Sequence, residues 1–374
     1  MTRPRVGVLF GGRSTEHEVS ILSARSIISA IDPERYEVVP LYIDRTGRFL
    51  LGDSLKRLLN DEATRKYVYL PPDPTQHSLV PAALTGAPGD ATVPALDVVF
   101  PVFHGLNGED GTIQGVLELA NVPYVGAGVL GSALGLDKIY MKQAFEAVGL
   151  PVVDHLPITR RDFEKDPEAF VRLVEEQLGY PCFSKFANSG SSVGTTKAHN
   201  REELVEGLRL AASFDRKLLV ERAIEARELE VSVLGNDDPE ASIVGEVVPA
   251  HEFYDYEAKY LDEGSKLLIP APVGEGTADQ ARELAVRAFK AVDAAGMARV
   301  DFFLERETGQ LYVNELNTIP GFTRISMYPK LWEASGVSFQ QLVERLIQLA
   351  LERFADKQRS QTAIDSRLLP GNDE

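Results

Sequence analysis

Residues 299–323 constrain the fold of this chain more than any other segment. Two runs of alternating apolar and polar residues, 300–304 and 311–317, are joined by a polar turn that contains Gly309. Alternation with a period of two residues, interrupted by a turn with glycine, is typical of a β-hairpin. The apolar residues within both runs indicate that this hairpin is packed against a core.

The predicted hairpin brings charged residues together on one face. With the turn centred near Thr308, Asp301 faces Glu315 and Arg299 faces Asn317, because side chains alternate between the two faces of a strand. Two carboxylates directly opposite each other repel, and a divalent cation between them would remove that repulsion. Oxygen ligands alone suit Mg²⁺ or Mn²⁺ rather than zinc. The alternative is an exposed hairpin with scattered charges, which the apolar neighbours argue against.

Composition limits the class of protein. The chain has 374 residues, of which 44% are hydrophobic and 25% charged, enough for two or three domains with their own cores. A net charge of −17 argues against a general nucleic-acid binder. No apolar run is long enough for a membrane span. The single cysteine, Cys182, allows no disulfide within the chain, and the first residues lack a signal-peptide pattern, so we expect a cytoplasmic protein.

The N-terminal residues predict a Rossmann-like parallel α/β domain over residues 1–138. A short apolar strand, 5–10, is followed by two glycines and a helical pattern, and a second apolar strand, 96–103, is followed by His104. Such loops meet at the carboxyl edge of a parallel sheet, where ligands bind. Glu16 lies at the start of the first helix, where a carboxylate also simply suits the helix dipole.

A glycine pattern at residues 126–131 leaves a dehydrogenase as an alternative. The residues fit G-x-G-x-x-G, and Glu146 follows Gly126 by 20 positions, as in a dinucleotide-binding fingerprint. Other glycine-rich loops compete with it, which makes the pattern weak evidence.

The remaining chain predicts two further lobes and a tail. Residues 139–230 contain a strand with Lys185 that enters a loop rich in glycine and serine, which could cover phosphates through backbone N–H groups. Residues 231–355 contain the hairpin and, at 251–260, alternating aromatic and charged residues that resemble an active-site lid. Residues 356–374 are polar and aperiodic, and we expect them to be disordered.

Six segments in this order and spacing resemble the D-alanine–D-alanine ligase family of the ATP-grasp superfamily. They are residues 11–20, 104–115, 186–194, 254–260, 299–303 and 314–329. The resemblance covers nearly the whole chain and implies the α/β domain followed by a two-lobed ATP-grasp fold. It also implies a reaction in which ATP phosphorylates the carboxylate of one D-alanine and the amine of a second D-alanine displaces phosphate. The product would serve peptidoglycan precursor synthesis, and the family suggests a homodimer.

The resemblance assigns roles to residues at matching positions. The ligands of two Mg²⁺ or Mn²⁺ ions are Asp301, Glu315 and Asn317. Residues expected to bind ATP are Lys138, Lys185, Ser192, Glu221, Arg222, Ile224, Glu228 and Lys259. The residues expected at the reacting substrates are Glu16, His104, Ser191, Tyr260, Arg299, Gly321 and Ser326.

Within the last set, the expected tasks differ. Glu16 would hold the ammonium group of the first substrate, linked to Ser191 and Tyr260. Arg299 and the N–H of Gly321 would stabilise the oxyanion of the tetrahedral intermediate. Ser326 would contact the carboxylate of the second D-alanine, and His104 would line the substrate pocket.

Two alternatives to a D-alanine–D-alanine ligase stay open at this point. A related ligase could use D-lactate or D-serine as second substrate, although the intact Glu-Ala-Lys-Tyr segment ending at Tyr260 favours an amine over a hydroxy acid. A non-catalytic ligand-binding protein could share the scaffold, although the complete set of metal ligands and Arg299 argue against it.

Two neighbouring positions depart from the family. Phe186 follows Lys185 where a proline is usual, and Ser184 stands where a β-branched residue is common. Phenylalanine adds an N–H group and a bulky ring that proline lacks. We therefore expect local repacking behind the ATP site, with weaker ATP binding or altered nucleotide selectivity as its consequences.

Overall fold

The computed structural model describes residues 3–52, 54–60, 66–82, 94–188, 190, 194–248 and 266–361. These residues form three β-sheets with helices packed on them, and each sheet is built from consecutive strands of the chain. None of the helices in these ranges combines the length and apolar composition that a bilayer span requires.

The first sheet has the strand order β5-β4-β3-β2-β1-β6. Its strands are β1 Arg5–Gly11, β2 Glu37–Ile43, β3 Phe49–Leu51, β4 Lys66–Tyr69, β5 Val80–Pro81 and β6 Val98–Val102. Strand β1 pairs in parallel with both β2 and β6, as predicted. The strands β3, β4 and β5 are antiparallel, so the parallel arrangement predicted for this domain holds only for its other three strands.

Within the described part of the chain, five helices accompany the first sheet or follow it. They are α1 His17–Ala30, α2 Leu55–Asn60, α3 Thr112–Leu119, α4 Val129–Leu136 and α5 Lys138–Ala147. Helix α5 begins at Lys138 because the carboxylate of Asp137 accepts hydrogen bonds from the N–H groups of Ile139 and Tyr140, which the first turn would otherwise leave unpaired.

The second sheet has the order β7-β10-β8-β9 and three helices. The strands are β7 His155–Thr159, β8 Cys182–Phe186, β9 Thr196–Ala198 and β10 Lys217–Arg222. The helices are α6 Arg160–Lys165, α7 Pro167–Gln177 and α8 Arg201–Phe214. Cys182 is buried in this core, where burial raises the pKa of its thiol to about 11.

The third sheet has the order β13-β12-β11-β14-β15 and is antiparallel throughout. The strands are β11 Ala226–Gly235, β12 Glu240–Val248, β13 Lys266–Leu268, β14 Gly296–Glu305 and β15 Leu311–Asn317. The helices are α9 Glu275–Ala291, α10 Met327–Ala334 and α11 Phe339–Lys357.

Two predicted boundaries differ from these elements. The boundary placed between residues 230 and 231 is wrong as a division between sheets, because it falls inside β11, which already belongs to the third sheet. The tail predicted from residue 356 overlaps a helix at its first residues, because α11 continues to Lys357. Residues 362–374 of that tail lie outside the described residues.

Candidate active site

The hairpin of β14 and β15 has the predicted facing residues. Asp301 pairs with Glu315 and Arg299 pairs with Asn317 across the two strands. Because these four positions share one face of the sheet, their side chains form a polar patch on an otherwise apolar hairpin.

The register changes between this patch and the turn. Leu304 pairs with Leu311 and Phe302 with Val313, whereas Asp301 pairs with Glu315, so one residue of β15 is skipped. A uniform register along the hairpin, which the sequence argument assumed, is therefore wrong near the turn. The irregularity shifts the register by one residue and so directs Glu315 to the same face as Asp301.

Arg299 lies between two carboxylates. Its Nε and Nη2 atoms donate to the two carboxylate oxygens of Asp301 at 2.7 Å each, and Nε lies 3.0 Å from Glu230 Oε2. Asn317 Nδ2 also donates to Asp301 at 3.1 Å. Burial opposes the charged form of Arg299, but Asp301 and Glu230 outweigh it and raise the pKa of the guanidinium well above its usual value.

Glu230 was absent from the sequence candidates. It pairs with Asp301 across β11 and β14, so Glu230, Asp301 and Glu315 form a row of acids across three strands. The sequence indicates Glu230 only through the alternation of side chains along a strand, which places Glu228 and Glu230 on the same face of β11.

The donor set fits a magnesium-type ion. Asp301, Glu315 and Asn317 supply only oxygen, and each carboxylate already has a cation beside it, Arg299 for the first and Lys138 for the second. Among the described residues, no three His, Cys, Asp or Glu side chains are arranged to hold a metal. Two carboxylates and an amide would suffice for Mg²⁺ because this ion commonly takes its remaining ligands from water and substrate phosphates.

Three lysines surround the acids Glu315 and Glu221. Lys138 Nζ lies 2.5 Å from Glu315 Oε2, and Lys185 Nζ lies 2.5 Å from Glu221 Oε2. Lys142, which the sequence analysis missed, is buried and places Nζ 2.9 Å from Glu221 Oε1. The signal for Lys142 was its spacing of four residues from Lys138, which puts both on one face of α5.

The charges in this cluster depend on one another. Burial lowers the pKa of Lys142. Burial also disfavours the charged form of Lys185, but Glu221 outweighs it and raises that pKa. The two ammonium groups in turn hold the pKa of Glu221 below its usual value despite burial. The Glu221 side chain, which we expect to bind ATP, is therefore ionised and forms ion pairs with both lysines.

The loops after β1 and β6 meet at one edge of the first sheet, as predicted. Ser14 Oγ donates to the carbonyl oxygen of His104 at 2.7 Å and accepts from the N–H of Glu16 at 2.9 Å. A Cβ added at Gly105 would lie 3.3 Å from Glu16 Oε2, and one added at Gly190 would lie 3.6 Å from it. The Glu16 carboxylate thus lies between the His104 loop and the beginning of the glycine-rich loop.

His104 and Glu109 both reach the loop that follows β15. His104 Nδ1 donates to Ile319 O at 3.1 Å, and its Nε2 lies 3.3 Å from Ser23 Oγ. Glu109 accepts from the N–H of Ile319 at 3.1 Å and from that of Gly105 at 2.7 Å. Burial lowers the pKa of His104. Burial and the nearby Glu16 raise the pKa of Glu109 to about 8.

Glu109 was also missing from the sequence candidates, although it belongs to the same glycine-rich loop as His104. A small cavity connects it with the predicted metal and phosphate ligands. The cavity is lined by Glu109, Gly135, Leu136, Lys138, Gly190, Glu315, Leu316, Asn317 and Thr318. The N-terminal loop, the start of α5 and the end of β15 therefore form one site.

Two further predicted site residues, Ser326 and Arg222, form hydrogen bonds with other parts of the chain. Ser326 precedes α10 and accepts from the N–H of Thr323 at 3.1 Å, and a Cβ on Gly321 would come within 3.0 Å of Ser326 Oγ. The Arg222 guanidinium is bound to Asp154 at 3.1 Å, away from the lysine cluster.

Two further predicted ATP-binding positions are described. Glu228 lies on β11, and Ile224 lies between β10 and β11. Ser191, Ser192, Lys259 and Tyr260 lie outside the described residues.

Phe186, which departs from the family, packs beside Gly194, at the end of the glycine-rich segment. The ring of Phe186 stacks on Phe214, with centroids 5.2 Å apart. A Cβ on Gly194 would meet both rings at 3.0–3.1 Å, and its φ of +70° also favours glycine. The repacking expected behind Lys185 is therefore an aromatic stack that supports the end of this loop.

The glycines of residues 126–131 serve packing. Gly131 adjoins the backbone of Asp293, and a Cβ on Gly296 would come within 3.0 Å of Gly126 N. Neighbouring backbone fills the space beside these glycines, which argues against a dinucleotide at this loop.

Buried lysines and facing acids beside two antiparallel sheets, next to an α/β domain, are the arrangement expected of an ATP-grasp ligase. The family models described as "D-ala D-ala ligase N-terminus" and "D-ala D-ala ligase C-terminus" match residues 5–127 and 144–348. The chain belongs to the D-alanine–D-alanine ligase family.

Individual relatives agree with this assignment over almost the full chain. A D-alanine–D-alanine ligase from Thermoanaerobacter sp. (strain X514) is 52% identical, and the alignment covers 96% of this chain and 99% of the relative. The structure of the D-alanine–D-alanine ligase from Coxiella burnetii is similar with a TM-score of 0.83 at 35% identity, covering 96% and 97%. The VanG D-Ala:D-Ser ligase from Enterococcus faecalis has a TM-score of 0.84 at 34% identity, covering 93% and 100%.

Proposed function

We propose that this chain uses ATP to join two D-alanine molecules into D-alanyl-D-alanine, the dipeptide of peptidoglycan precursors. The observation that carries the proposal is the pairing of Asp301 with Glu315 beside Lys138 and Arg299. This arrangement offers oxygen ligands for a cation and fixed positive charge for phosphate within one site, as transfer of a phosphoryl group requires.

In the first step, the carboxylate of one D-alanine attacks the terminal phosphorus of ATP, and ADP leaves. Lys138 and Lys185 would bind the phosphates, with Lys259 and Ser192 adding contacts. Asp301, Glu315 and Asn317 would hold Mg²⁺ or Mn²⁺, which when bound neutralises phosphate charge. Glu16 would hold the ammonium group of this D-alanine, together with Ser191 and Tyr260.

In the second step, the free amine of the other D-alanine attacks the acyl phosphate carbon, and inorganic phosphate leaves from the tetrahedral intermediate. Arg299 and the N–H of Gly321 would stabilise the oxyanion, because fixed donors aimed at developing charge lower the barrier. Ser326 would contact the carboxylate of this second substrate, and its proximity to Gly321 supports that role.

The nucleotide base would bind along the segment after β10. Glu221, the backbone from Arg222 to Ile224 and Glu228 would surround adenosine. We further propose a cytoplasmic homodimer, as the family suggests.

A related ligase that uses a different second substrate is the alternative to this proposal. The similar fold of a D-Ala:D-Ser ligase means that architecture alone does not select D-alanine. Relatives about 50% identical over nearly the full chain carry the name D-alanine–D-alanine ligase, and the intact segment ending at Tyr260 favours an amine.

The test incubates the purified chain with ATP, Mg²⁺ and D-alanine, and measures phosphate release and dipeptide by mass spectrometry. We expect phosphate release that requires D-alanine, loss of activity with EDTA, and recovery with Mg²⁺ or Mn²⁺. Mixtures of D-alanine with D-serine or D-lactate should still give mainly D-alanyl-D-alanine at neutral pH. A predominant mixed product would reject the proposed second substrate.

A further inference from the structure

We propose that Glu109 is a positioning residue for the ligation step, acting through residues 319–322 rather than by touching substrate. The inference rests on the proposed function, because it concerns the loop that carries the expected oxyanion donor Gly321.

Side chains of the N-terminal domain hold this loop at three points. Glu109 accepts from the N–H of Ile319, and His104 donates to the carbonyl oxygen of the same residue, at 3.1 Å each. Ser23 Oγ accepts from the N–H of Phe322 at 3.4 Å and lies 3.3 Å from His104 Nε2. Side chains of the N-terminal domain therefore hold the N–H and the carbonyl group of Ile319 and the N–H of Phe322.

Gly321 lies between the bound positions. Its N–H lies in the Pro320–Gly321 peptide plane, and the residues on both sides of that plane, Ile319 and Phe322, are bound to the N-terminal domain. An oxyanion donor is effective only if it already points to where charge will develop. The hydrogen bonds at Ile319 and Phe322 supply that constraint.

Glu109 fits a positioning role because its environment is unfavourable for an acid. The residue is 8% exposed and close enough to Glu16 for their charges to repel. Burying a carboxyl group costs stability unless hydrogen bonds compensate, and an apolar residue would avoid the cost. Glu109 instead uses one oxygen for Ile319 and the other for Gly105, which joins the His104 loop to the oxyanion loop.

The experiment compares Glu109→Ala and Glu109→Gln with the parent chain and with Glu118→Gln. Glutamine keeps a single acceptor oxygen, so it can preserve one of the two backbone hydrogen bonds. Glu118 is the matched control, an acid of the same domain that pairs with Lys357. We expect kcat for dipeptide formation to fall about 100-fold in the alanine variant, comparable to loss of one oxyanion donor, and less in the glutamine variant. KM for ATP should change less than about twofold, because no ATP-binding group has moved.

A second readout separates positioning from general loss of structure. A D-alanine phosphinate analogue, whose phosphorus mimics the tetrahedral carbon, should bind Glu109→Ala about 100-fold more weakly, while ATP affinity stays near the parent value. Amide hydrogen exchange of residues 318–323 should become faster in Glu109→Ala and stay unchanged in Glu118→Gln. Parent-like kcat, or equal losses of ATP and phosphinate affinity, would overturn the inference.

Failure of the proposed function gives a different result. A parent chain that forms no dipeptide rejects the ligase activity whatever the variants do. Unchanged exchange of residues 318–323 in Glu109→Ala rejects the positioning role whether or not the parent chain is active.

Discussion

At the residue scale, Lys142 is a buried neighbour of the lysines that we propose to bind phosphate. Its side chain is 1% exposed and shares the Glu221 carboxylate with Lys185. Without Lys142, one oxygen of a buried carboxylate would lose its cation, and Lys185 would be held more strongly by Glu221. Lys142 therefore keeps Lys185 available to a nucleotide.

Replacing Lys142 by methionine tests this role. We expect Lys142→Met to cost less than about 3–5 kcal/mol of stability, the loss for a fully broken buried ion pair, because Glu221 keeps Lys185 as its partner. KM for ATP should rise about tenfold. Lys290→Met, on the exposed surface of α9, is the control and should change neither value. Thermal unfolding and steady-state kinetics measure both effects.

One outcome would contradict this role. If Lys142→Met is folded by thermal unfolding and its KM for ATP equals the parent value, Lys185 binds nucleotide equally well whether or not Lys142 shares the Glu221 carboxylate.

Residues could be predicted from the sequence where local periodicity determines their neighbours. That Asp301 faces Glu315 follows from the alternation of side chains along two strands joined by one turn. The pairing of β14 with β15 confirms it. Glu109 could not be found that way, because its partner Ile319 lies 210 residues further along the chain. Lys142 and Glu230 gave periodic signals, but their importance comes from burial against other elements, which no local pattern reports.

At the element scale, long periodic segments were predicted well and short ones were missed. The strand predicted at residues 5–10 lies within β1, and the second run of the predicted hairpin, 311–317, coincides with β15. No element is predicted for residues 44–95, whereas β3, β4 and β5 lie within them. These strands have two to four residues each, too few to establish a period of two against a background of proline and glycine.

The contact between α8 and the second sheet depends on Gly207. A Cβ at this position would collide with Thr196 Oγ1 and Ser184 Oγ, which are hydrogen-bonded to each other at 2.6 Å. We expect Gly207→Ala to destabilise the protein by about 1–3 kcal/mol, as overpacking does. Ser184→Gly should restore part of the loss in a double variant.

The control for this substitution is Gly115→Ala in α3. No atom lies within 4 Å of a Cβ added there, so alanine should be neutral or stabilise the helix. Chemical denaturation of the three variants measures the differences. A Gly207→Ala variant as stable as Gly115→Ala would show that α8 can move away from the sheet without cost.

At the scale of the whole molecule, the hydrophobic cores do not follow the order of the sheets along the chain. The core beneath the first sheet combines Phe10 and Phe100 with Phe322, Trp332 and Leu346 from the C-terminal region. Among the described residues, the separate core of the second sheet is formed by residues between 156 and 220. Sequence periodicity identifies which face of an element is apolar, but it does not say which distant face covers it, so this pairing was not predicted.

This arrangement of cores predicts which parts of the protein unfold together. Leu346→Ala in α11 and Leu208→Ala in α8 are a matched pair, since both leucines are buried and helical, and each should cost about 2–5 kcal/mol. Leu346→Ala should speed amide hydrogen exchange in β1 and β6 although these strands lie more than 240 residues away in sequence. Leu208→Ala should speed exchange in β8 and β10 and leave β1 and β6 at parent rates. If Leu346→Ala affected only α10 and α11, the N-terminal sheet would be stable without its C-terminal cover, and the shared core would not couple the two ends of the chain.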